Sequence, residues 1–404
     1  MLRSWLTKLR ARPARSHPAP CSCPDIADLL RRPPVRLETP ELQRFLASKT
    51  ILVTGAGGSI GSEICRQIMK FCPNRLLLLE RSENALFEID RELRELWVGA
   101  DIRPLLADIC DPPRINALFD QHHPDVVFHC AAHKHVPMME ANPGEAIKNN
   151  VFGTKTVADA AARAHCHAFV LISTDKAVNP TSVMGAAKRC AELYTQSLNS
   201  PDPNPRNPTR FLAVRFGNVL ASSGSVVPIF QKQIDAGGPV TVTHPDMQRF
   251  FMTIPEAAQL VMLSGAIGLG GEIFVLDMGQ SIRILDLARQ MILRRGLRPD
   301  LDIAIKFTGI RPGEKLYEEL ARDDEQTRPT SHPKIRVWQL PRASRHDIDR
   351  MLTLLRSVID SKREDILLSL KQILPEYTPP DLPQPHPQLR LVSSSAQPQA
   401  AAAA

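Results

Sequence analysis

The sequence predicts a doubly wound α/β fold, a parallel sheet covered by helices on both faces, and three observations carry that reading. Short, continuous apolar runs recur through the first half of the chain, at Ile51–Val53, Arg75–Leu79, Ile102–Ala107, Asp125–Cys130 and Phe169–Ser173. Segments of helical spacing separate them, the first through Ile64, Ile68 and Phe71 and the second over Asn84–Trp97. A glycine-rich turn, Thr54–Gly61, joins the first run to the first helix. Strands that are apolar throughout, rather than alternating, belong to a sheet buried on both faces, and intervening helices make neighbouring strands parallel.

Taken in order, residues 1–48 are rich in Pro and Arg, lack a sustained period and read as an extension, helical only around Leu42–Leu46. The sheet domain is expected over 49–217. Within it, Asn199–Thr209 (NSPDPNPRNPT) reads as a surface loop between a helix and the strand Phe211–Phe216. The units then become irregular. Strands are expected near Val240–Thr243 and Ile273–Leu276, with helices at Pro255–Ser264 and Ile284–Arg295. That irregularity suits a smaller C-terminal substrate lobe over 218–340, with returns to the sheet. Residues 341–404 read as a C-terminal helix and, beyond about Pro379, a disordered tail of Pro, Gln, Ser and Ala.

Composition narrows the class. The chain has 404 residues, enough for two lobes sharing a core, and 43 % apolar with 23 % charged residues is ordinary for a globular protein. A net charge of +7 suits an anionic partner. Part of the excess (Arg3, Lys8, Arg10, Arg12, Arg15) sits at the N-terminus without acidic neighbours, as a solvated end or a weak membrane-surface contact. The basic excess has no aromatic interleaving, which argues against a nucleic-acid partner. Eight cysteines without a C-x-x-C pair argue for reduced thiols and no structural zinc. The most apolar stretch, Ala257–Leu276, is interrupted by Ser264, four glycines and Glu272, so no integral membrane segment is expected. With no apolar signal core, the expected location is cytoplasmic, with at most a weak membrane association.

The turn Thr54-Gly55-Ala56-Gly57-Gly58-Ser59-Ile60-Gly61 stands between strand and helix, where a dinucleotide fingerprint requires it. Gly55 permits the tight turn, Gly58 the approach of backbone to pyrophosphate, and Gly61 close helix–strand packing, with Ser59 and Ile60 opening the helix toward the anion. Glu80 ends the second strand where an acid accepts from the adenosine ribose, which favours NAD; the adjacent Arg81 leaves NADP open. Asp108 and Ile109 are placed beside adenine, and Ala131 and Ala132 where the cofactor passes closely. The sheet domain is thus expected to be a Rossmann-like NAD(P)-binding domain.

The fifth strand ends in Ser173-Thr174-Asp175-Lys176, followed by Met184 and Lys188. Here the chain resembles the extended short-chain dehydrogenases, whose Tyr-x-x-x-Lys pair has this spacing, with Met184 in place of Tyr. It resembles one subfamily most, the UDP-N-acetylglucosamine 4,6-dehydratases of bacterial polysaccharide and glycan synthesis (CapD-like). The motifs are TGAGGSIG (Thr54–Gly61), AAHKHVP (Ala131–Pro137), NNVFGT (Asn149–Thr154), STDKAVNP (Ser173–Pro180), RFGNV (Arg215–Val219), SSGSVVP (Ser222–Pro228), RFFMT (Arg249–Thr253) and RPGEKLYEE (Arg311–Glu319). The resemblance runs from about Val35 to Val337. The long branch it resembles most is anchored by upstream transmembrane helices, which are not seen here, so the anchorage is not carried over.

The resemblance implies an internal redox cycle on a UDP-N-acetylhexosamine. C4 is oxidised, the C5 proton is lost, the C6 hydroxyl leaves as water and hydride returns at C6, so a tightly bound nicotinamide cofactor is recycled. It makes Lys176 the C5 base, Asp175 the acid at C6 and Lys188 the holder of the nicotinamide ribose. Thr174 or Asp175 receives the C4 hydroxyl proton in place of Tyr. A lysine base must be neutral part of the time, and burial beside Lys188 would lower its pKa from about 10.4. Lys134 reaches sugar or phosphate; His133 and His135 read as pocket residues rather than metal ligands. Arg249 and Arg311 offer planar donors to a diphosphate, as does Arg215 unless it is a structural ion-pair partner. Asn218 and Glu314 complete the substrate set, and a homo-oligomer is expected. Two other readings stay open: a UDP-sugar epimerase of the same fold and a non-catalytic dinucleotide-binding subunit.

Overall fold

The computed structural model describes residues 39–199, 209–320, 327–338 and 343–379. The basic N-terminal run, most of the Asn199–Thr209 loop and the tail lie outside the described residues.

Each apolar run becomes a strand and each helical period a helix. In order these are α1 (Pro40–Leu46), β1 (Thr50–Thr54), α2 (Ser59–Met69), β2 (Arg75–Glu80), α3 (Glu83–Leu96), β3 (Ile102–Leu106), α4 (Pro112–His122) and β4 (Val126–His129). There follow α5 (Val136–Ala141), α6 (Pro143–Ile147), a π-helical turn (Lys148–Gly153), α7 (Thr154–Arg163), β5 (Ala168–Ile172), a 3-10 turn (Asp175–Ala177), α8 (Val183–Ser197) and β6 (Arg210–Arg215). Helix starts follow their capping chemistry: the Ser82 and Ser182 hydroxyls accept from Ala85 N–H and Gly185 N–H at α3 and α8.

The nine-stranded sheet has the order β14-β15-β11-β6-β5-β4-β1-β2-β3, where β11 is Ile273–Leu276, β14 Thr327–Pro329 and β15 Ile335–Trp338. It is parallel from β3 to β11, and antiparallel strands β15 and β14 finish the edge. The order reverses beside β1, which pairs with β2 on one side and β4 on the other, opening a crevice at the strands' C-terminal ends. Successive side chains enter opposite cores: Leu52 packs with Val127 and Phe169, whereas Ile51 and Val53 pack with Phe128 and Val170.

The remaining chain builds a smaller unit over that crevice. Its elements are β7 (Asn218–Val219), α9 (Val226–Asp235), β8 (Val240–Val242), β9 (Gln248–Arg249), β10 (Phe251–Met252), β12 (Ile282–Arg283), α11 (Ile284–Arg294) and β13 (Ile305–Phe307). They share a separate core around Phe230, Val242, Leu287 and Ile292. Between them α10 (Ile254–Ile267) returns to the sheet and packs on α2.

The region after 341 holds two helices where one was expected: α12 (Arg345–Val358) and α13 (Arg363–Ile373). The apolar period Ile348, Met351, Leu355 is interrupted by the polar turn at Asp360–Lys362 and resumes at Ile366, Leu367, Leu370. Both helices lie against α8, and Leu355, Leu367 and Tyr377 are fully buried.

One buried ion pair ties the sheet to α8. Arg215, 1 % exposed at the end of β6, gives Nε and Nη2 to the two oxygens of Glu192 on α8, and its guanidinium lies 3.6 Å from the Trp338 ring centroid. Ser173 donates to the same carboxylate at 2.6 Å. Arg215 is therefore a structural ion-pair partner. Burial pushes the Glu192 pKa up, but Arg215 and Arg189 outweigh it and hold the carboxyl below its usual range. Glu192→Ala removes the bidentate partner of Arg215 and one of the two carboxylates paired with Arg189, and should destabilise the fold by about 3–5 kcal/mol, read as a fall in unfolding free energy in a denaturant titration.

Candidate active site

The glycine turn is close-packed where helix meets sheet and open where a ligand would approach. Gly55 has φ +65°, and a Cβ there would lie 2.8 Å from Ala131 N; one on Gly61 would lie 2.1 Å from Gly55 O. A Cβ on Gly58 would meet Gly55 O alone, at 3.2 Å, so this face is bare backbone. Gly58 caps α2 without a side-chain bond, leaving the N–H groups at the helix start to an anion. The chemistry of the turn fits the diphosphate of a dinucleotide.

At the adenosine end, Glu80 is tied to backbone: one oxygen accepts from Gly57 N at 3.2 Å and the other from Arg81 N and Ser82 N. Arg81 leans on Asp108 at 3.7 Å, so the base that would favour NADP is partly neutralised. Ile109 is buried against Gly153.

A cleft of about 740 Å³ runs from the glycine turn to the smaller unit. Gly55, Gly58, Ser59, Ile60, Gly61, Ala132, Lys134, Thr174, Lys176, Lys188, Asn218, Arg249, Arg311 and Glu314 all line it, with His133, His135 and Met184. Glu80, Arg81, Asp108, Ile109 and Ala131 are outside this lining, and Asp175 stands directly behind it, 1 % exposed.

The HKH loop (133–135) is held by Asn150 in the π-helical turn. Its Oδ1 accepts from His133 N and its Nδ2 donates to His133 O, so one amide replaces a backbone partner for the loop. Lys134 then reaches across the cleft mouth to Ser223 O at 2.7 Å. Among the described residues no group of three His, Cys, Asp or Glu side chains could hold a metal ion.

The centre of the site is a four-charge cluster. At the end of β5 the chain tightens into the 3-10 turn, with Thr174 Oγ1 accepting from Lys176 N and donating to Asp175 Oδ1 at 2.9 Å. Lys176 Nζ lies 3.0 Å from Asp175 Oδ1, 3.2 Å from Asn218 Oδ1 and 3.2 Å from Glu318 Oε1. Arg249 Nε approaches the same Glu318 oxygen at 3.5 Å, and its remaining donors hold the carbonyls of Gln248, Lys315 and Leu316. Asp175 Oδ2 and Glu318 Oε2 are buried and have no hydrogen-bond partner among the described residues. Farther out, Arg311, more than half exposed, closes a local ion pair with Glu314.

The two lysines differ in a way that corrects the expected electrostatics. Burial lowers the Lys176 pKa, yet the carboxylates of Asp175 and Glu318 more than offset it, and the net shift is upward. The lowered pKa belongs to Lys188. It is 4 % exposed, its ammonium donates to Ile172 O at 2.5 Å, and burial pulls it down to about 8. Glu318 and Asn150 lie inside the RPGEKLYEE and NNVFGT motifs, where local pattern assigns neither a role. Their signal is a contact across more than a hundred residues for one and a π-turn for the other. Neither follows from local pattern.

With a folded pKa of about 8 against about 10.4 unfolded, Lys188 binds fewer protons in the native state between those values. Its contribution to unfolding free energy therefore rises with pH across that window. Denaturant titrations should show the unfolding free energy of the wild type rising relative to that of Lys188→Met across that window.

The polysaccharide biosynthesis protein family matches residues 51–340. The chain is 54 % identical over 302 residues to the capsular polysaccharide biosynthesis protein CapD of Staphylococcus aureus, covering 74 % of this chain and 50 % of that one. It thus spans about half the length of this relative. At 34 % identity it is similar to a UDP-N-acetylglucosamine 4,6-dehydratase (inverting) of Campylobacter jejuni, over 69 % of this chain and 78 % of that one. It is equally similar to a UDP-glucose 4-epimerase of Rickettsia bellii, over 70 % and 81 %. The crystal structure of Pen from Bacillus thuringiensis superposes with a TM-score of 0.68 at 36 % identity, over 74 % of this chain and 92 % of that one. No described helix is long and apolar enough to cross a membrane. On the match across its sheet and lobe, the chain belongs to the polysaccharide biosynthesis protein family.

Proposed function

We propose that the chain is a nucleotide-sugar 4,6-dehydratase that converts UDP-N-acetylglucosamine to a UDP-4-keto-6-deoxy-N-acetylhexosamine with recycled NAD. The observation that carries this reading is the pairing of Asp175 with Lys176 in one buried cluster on the cleft, beside Met184. A thioether does no acid–base work, so the proton chemistry falls to the end of β5. The glycine turn, with Glu80 on its backbone, would hold the dinucleotide, and Lys188 its nicotinamide ribose. When bound, that cofactor supplies a reversible hydride acceptor for C4 and the hydride that returns at C6.

The chain's own residues move the protons. Thr174 donates to Asp175 Oδ1, which makes a path from the C4 hydroxyl through Thr174 to Asp175. With C4 a ketone, the C5 hydrogen is acidified and Lys176 removes it. Asp175 then returns its proton to the departing C6 hydroxyl, and water leaves. Lys134, Arg311 and Glu314 at the cleft mouth, with Asn218 and Arg249 deeper, would bind the UDP-sugar. A second reading, C4 epimerisation, has the support of the equally similar epimerase.

Incubation with UDP-N-acetylglucosamine decides between them by mass and NMR. Dehydration gives a product lighter by one water with a 6-methyl group; epimerisation leaves the mass unchanged. No reduced nicotinamide should accumulate, and its stoichiometric appearance would exclude a recycled cofactor. Lys176→Ala should lower dehydration by ~100- to 10,000-fold with dinucleotide and UDP-sugar binding nearly intact. Asp175→Asn should also slow the reaction, while Met184→Leu should change it little. Product formation by Lys176→Ala at the wild-type rate would remove the lysine from its role.

A further inference from the structure

The mechanism above needs Lys176 neutral at the moment it meets the C5 hydrogen, and the cluster around it is arranged against that. Asp175 and Glu318 each place a carboxylate oxygen within 3.2 Å of the ammonium. Arg249 supplies the second positive charge, so with all four groups ionised the cluster is neutral. In the resting cluster, loss of the lysine proton to solvent would leave a buried net negative charge, which is expensive away from water. Transfer inside the cluster leaves the net charge unchanged. A carboxylate with free capacity is required, and Glu318 has it. It is 8 % exposed, it lines the cleft, Oε1 is 3.2 Å from Lys176 Nζ, and Oε2 is buried without a partner among the described residues.

Its position is supported from several sides. Thr181 donates to Gly313 O, Lys315 to Val178 O and Asn179 to Glu319, so the segment bearing Glu318 is fastened to the chain just after the catalytic turn. Arg249 holds the same segment by two carbonyls. These fastenings on one short segment fix the Glu318 carboxylate between Lys176 and Arg249.

We propose that Glu318 is the proton acceptor for Lys176, so that the C5 base is a lysine–glutamate pair rather than a lysine alone. The inference rests on the dehydratase reading. The lysine N–H proton passes to Glu318 Oε1, giving a neutral amine and a neutral carboxylic acid. The amine lone pair then takes the C5 proton as the C5–H electrons move toward the C4 carbonyl and the C6–O bond breaks. Protonation of C5 in the returning step regenerates the amine, and Glu318 hands its proton back to restore the ion pair. No oxidant or external proton is consumed. Glu318 acts through Lys176, so it is a positioning and proton-storing residue.

The test compares Glu318→Gln and Glu318→Asp with the wild type. The amide is nearly the same shape and still accepts from the ammonium, but it takes no proton from it. Glu318→Gln should lose about 100-fold in kcat near neutral pH, keep its KM and dinucleotide binding, and recover activity as pH rises and Lys176 deprotonates to solvent. Solvent-deuterium exchange at C5 should fall in parallel. Glu318→Asp should retain part of the rate with the wild-type pH profile. A wild-type rate in Glu318→Gln, or a loss that does not change with pH, overturns the proposal. A ¹⁵N titration of the Lys176 ammonium without substrate separates this outcome from failure of the dehydratase reading. Lys176 should titrate at lower pH in Glu318→Gln than in the wild type whichever sugar is the substrate, and an unchanged midpoint overturns the coupling.

Discussion

The site depends on a carboxylate that faces away from it. Glu192 receives both ends of the Arg215 guanidinium fork and the hydroxyl of Ser173, drawing α8 onto the C-terminal ends of β5 and β6. Trp338 on β15 covers the guanidinium, so the antiparallel edge of the sheet joins the same knot. Much of the site hangs from α8, β5 and β6: Thr174, Asp175 and Lys176 follow β5, Asn218 follows β6, and Met184 and Lys188 stand on α8. A charge pair buried to this degree is weak evidence for added stability, since its desolvation offsets much of its attraction. It does specify one register of helix against sheet, and an active site needs that register more than it needs extra kilocalories.

Counter-charge, more than burial, separates the two lysines. Lys188 is enclosed by β5, α8 and apolar neighbours and donates to a carbonyl, so desolvation governs it. Lys176 touches two carboxylates and is held charged. A lysine with a lowered pKa is a reliable donor that shifts its charge near neutrality, which suits an orienting role beside a cofactor that itself changes charge. A lysine with a raised pKa is a latent base. It becomes useful only when a partner can accept its proton, and for that reason Glu318 matters to the reading of the site.

Much of the fold was legible because its information is local and periodic. Strands β1, β2 and β4 to β6 are short apolar runs whose two faces are both covered, while β3 at the edge exposes Arg103, Pro104 and Leu106, and the glycine turn announces the first crossover. The C-terminal helix pair was less legible: its period is interrupted by a short polar turn, and only packing on α8 reveals two helices. At the site, residues that share one strand end or one turn could be listed from sequence, as Thr174, Asp175 and Lys176 were. Residues that act from a distance could not. Arg215 and Arg249 look alike in the sequence, each opening an Arg-Phe motif, yet one is sealed against Glu192 and Trp338 while the other clamps the carbonyls of Lys315 and Leu316. Glu318 differs from its neighbour Glu319 only in which way the backbone turns it; Glu319 reaches outward to Asn179 and Lys315.

The substitution at 184 shows how such a site tolerates losing a hydroxyl. Met184 is 3 % exposed, belongs to the main apolar core and still presents its side chain to the cleft. A tyrosine there would bring a polar tip needing a partner; methionine fills the space without one. The Thr174 hydroxyl donates to Asp175, so a short hydrogen-bonded path to a carboxylate opens on the same cleft that Met184 lines. Acid–base capacity in this cleft is therefore concentrated in Asp175, Lys176 and Glu318, three groups that share one buried cluster. Passing the lysine proton to Glu318 leaves the cluster's net charge unchanged, so readying the proposed base adds no new net charge away from water.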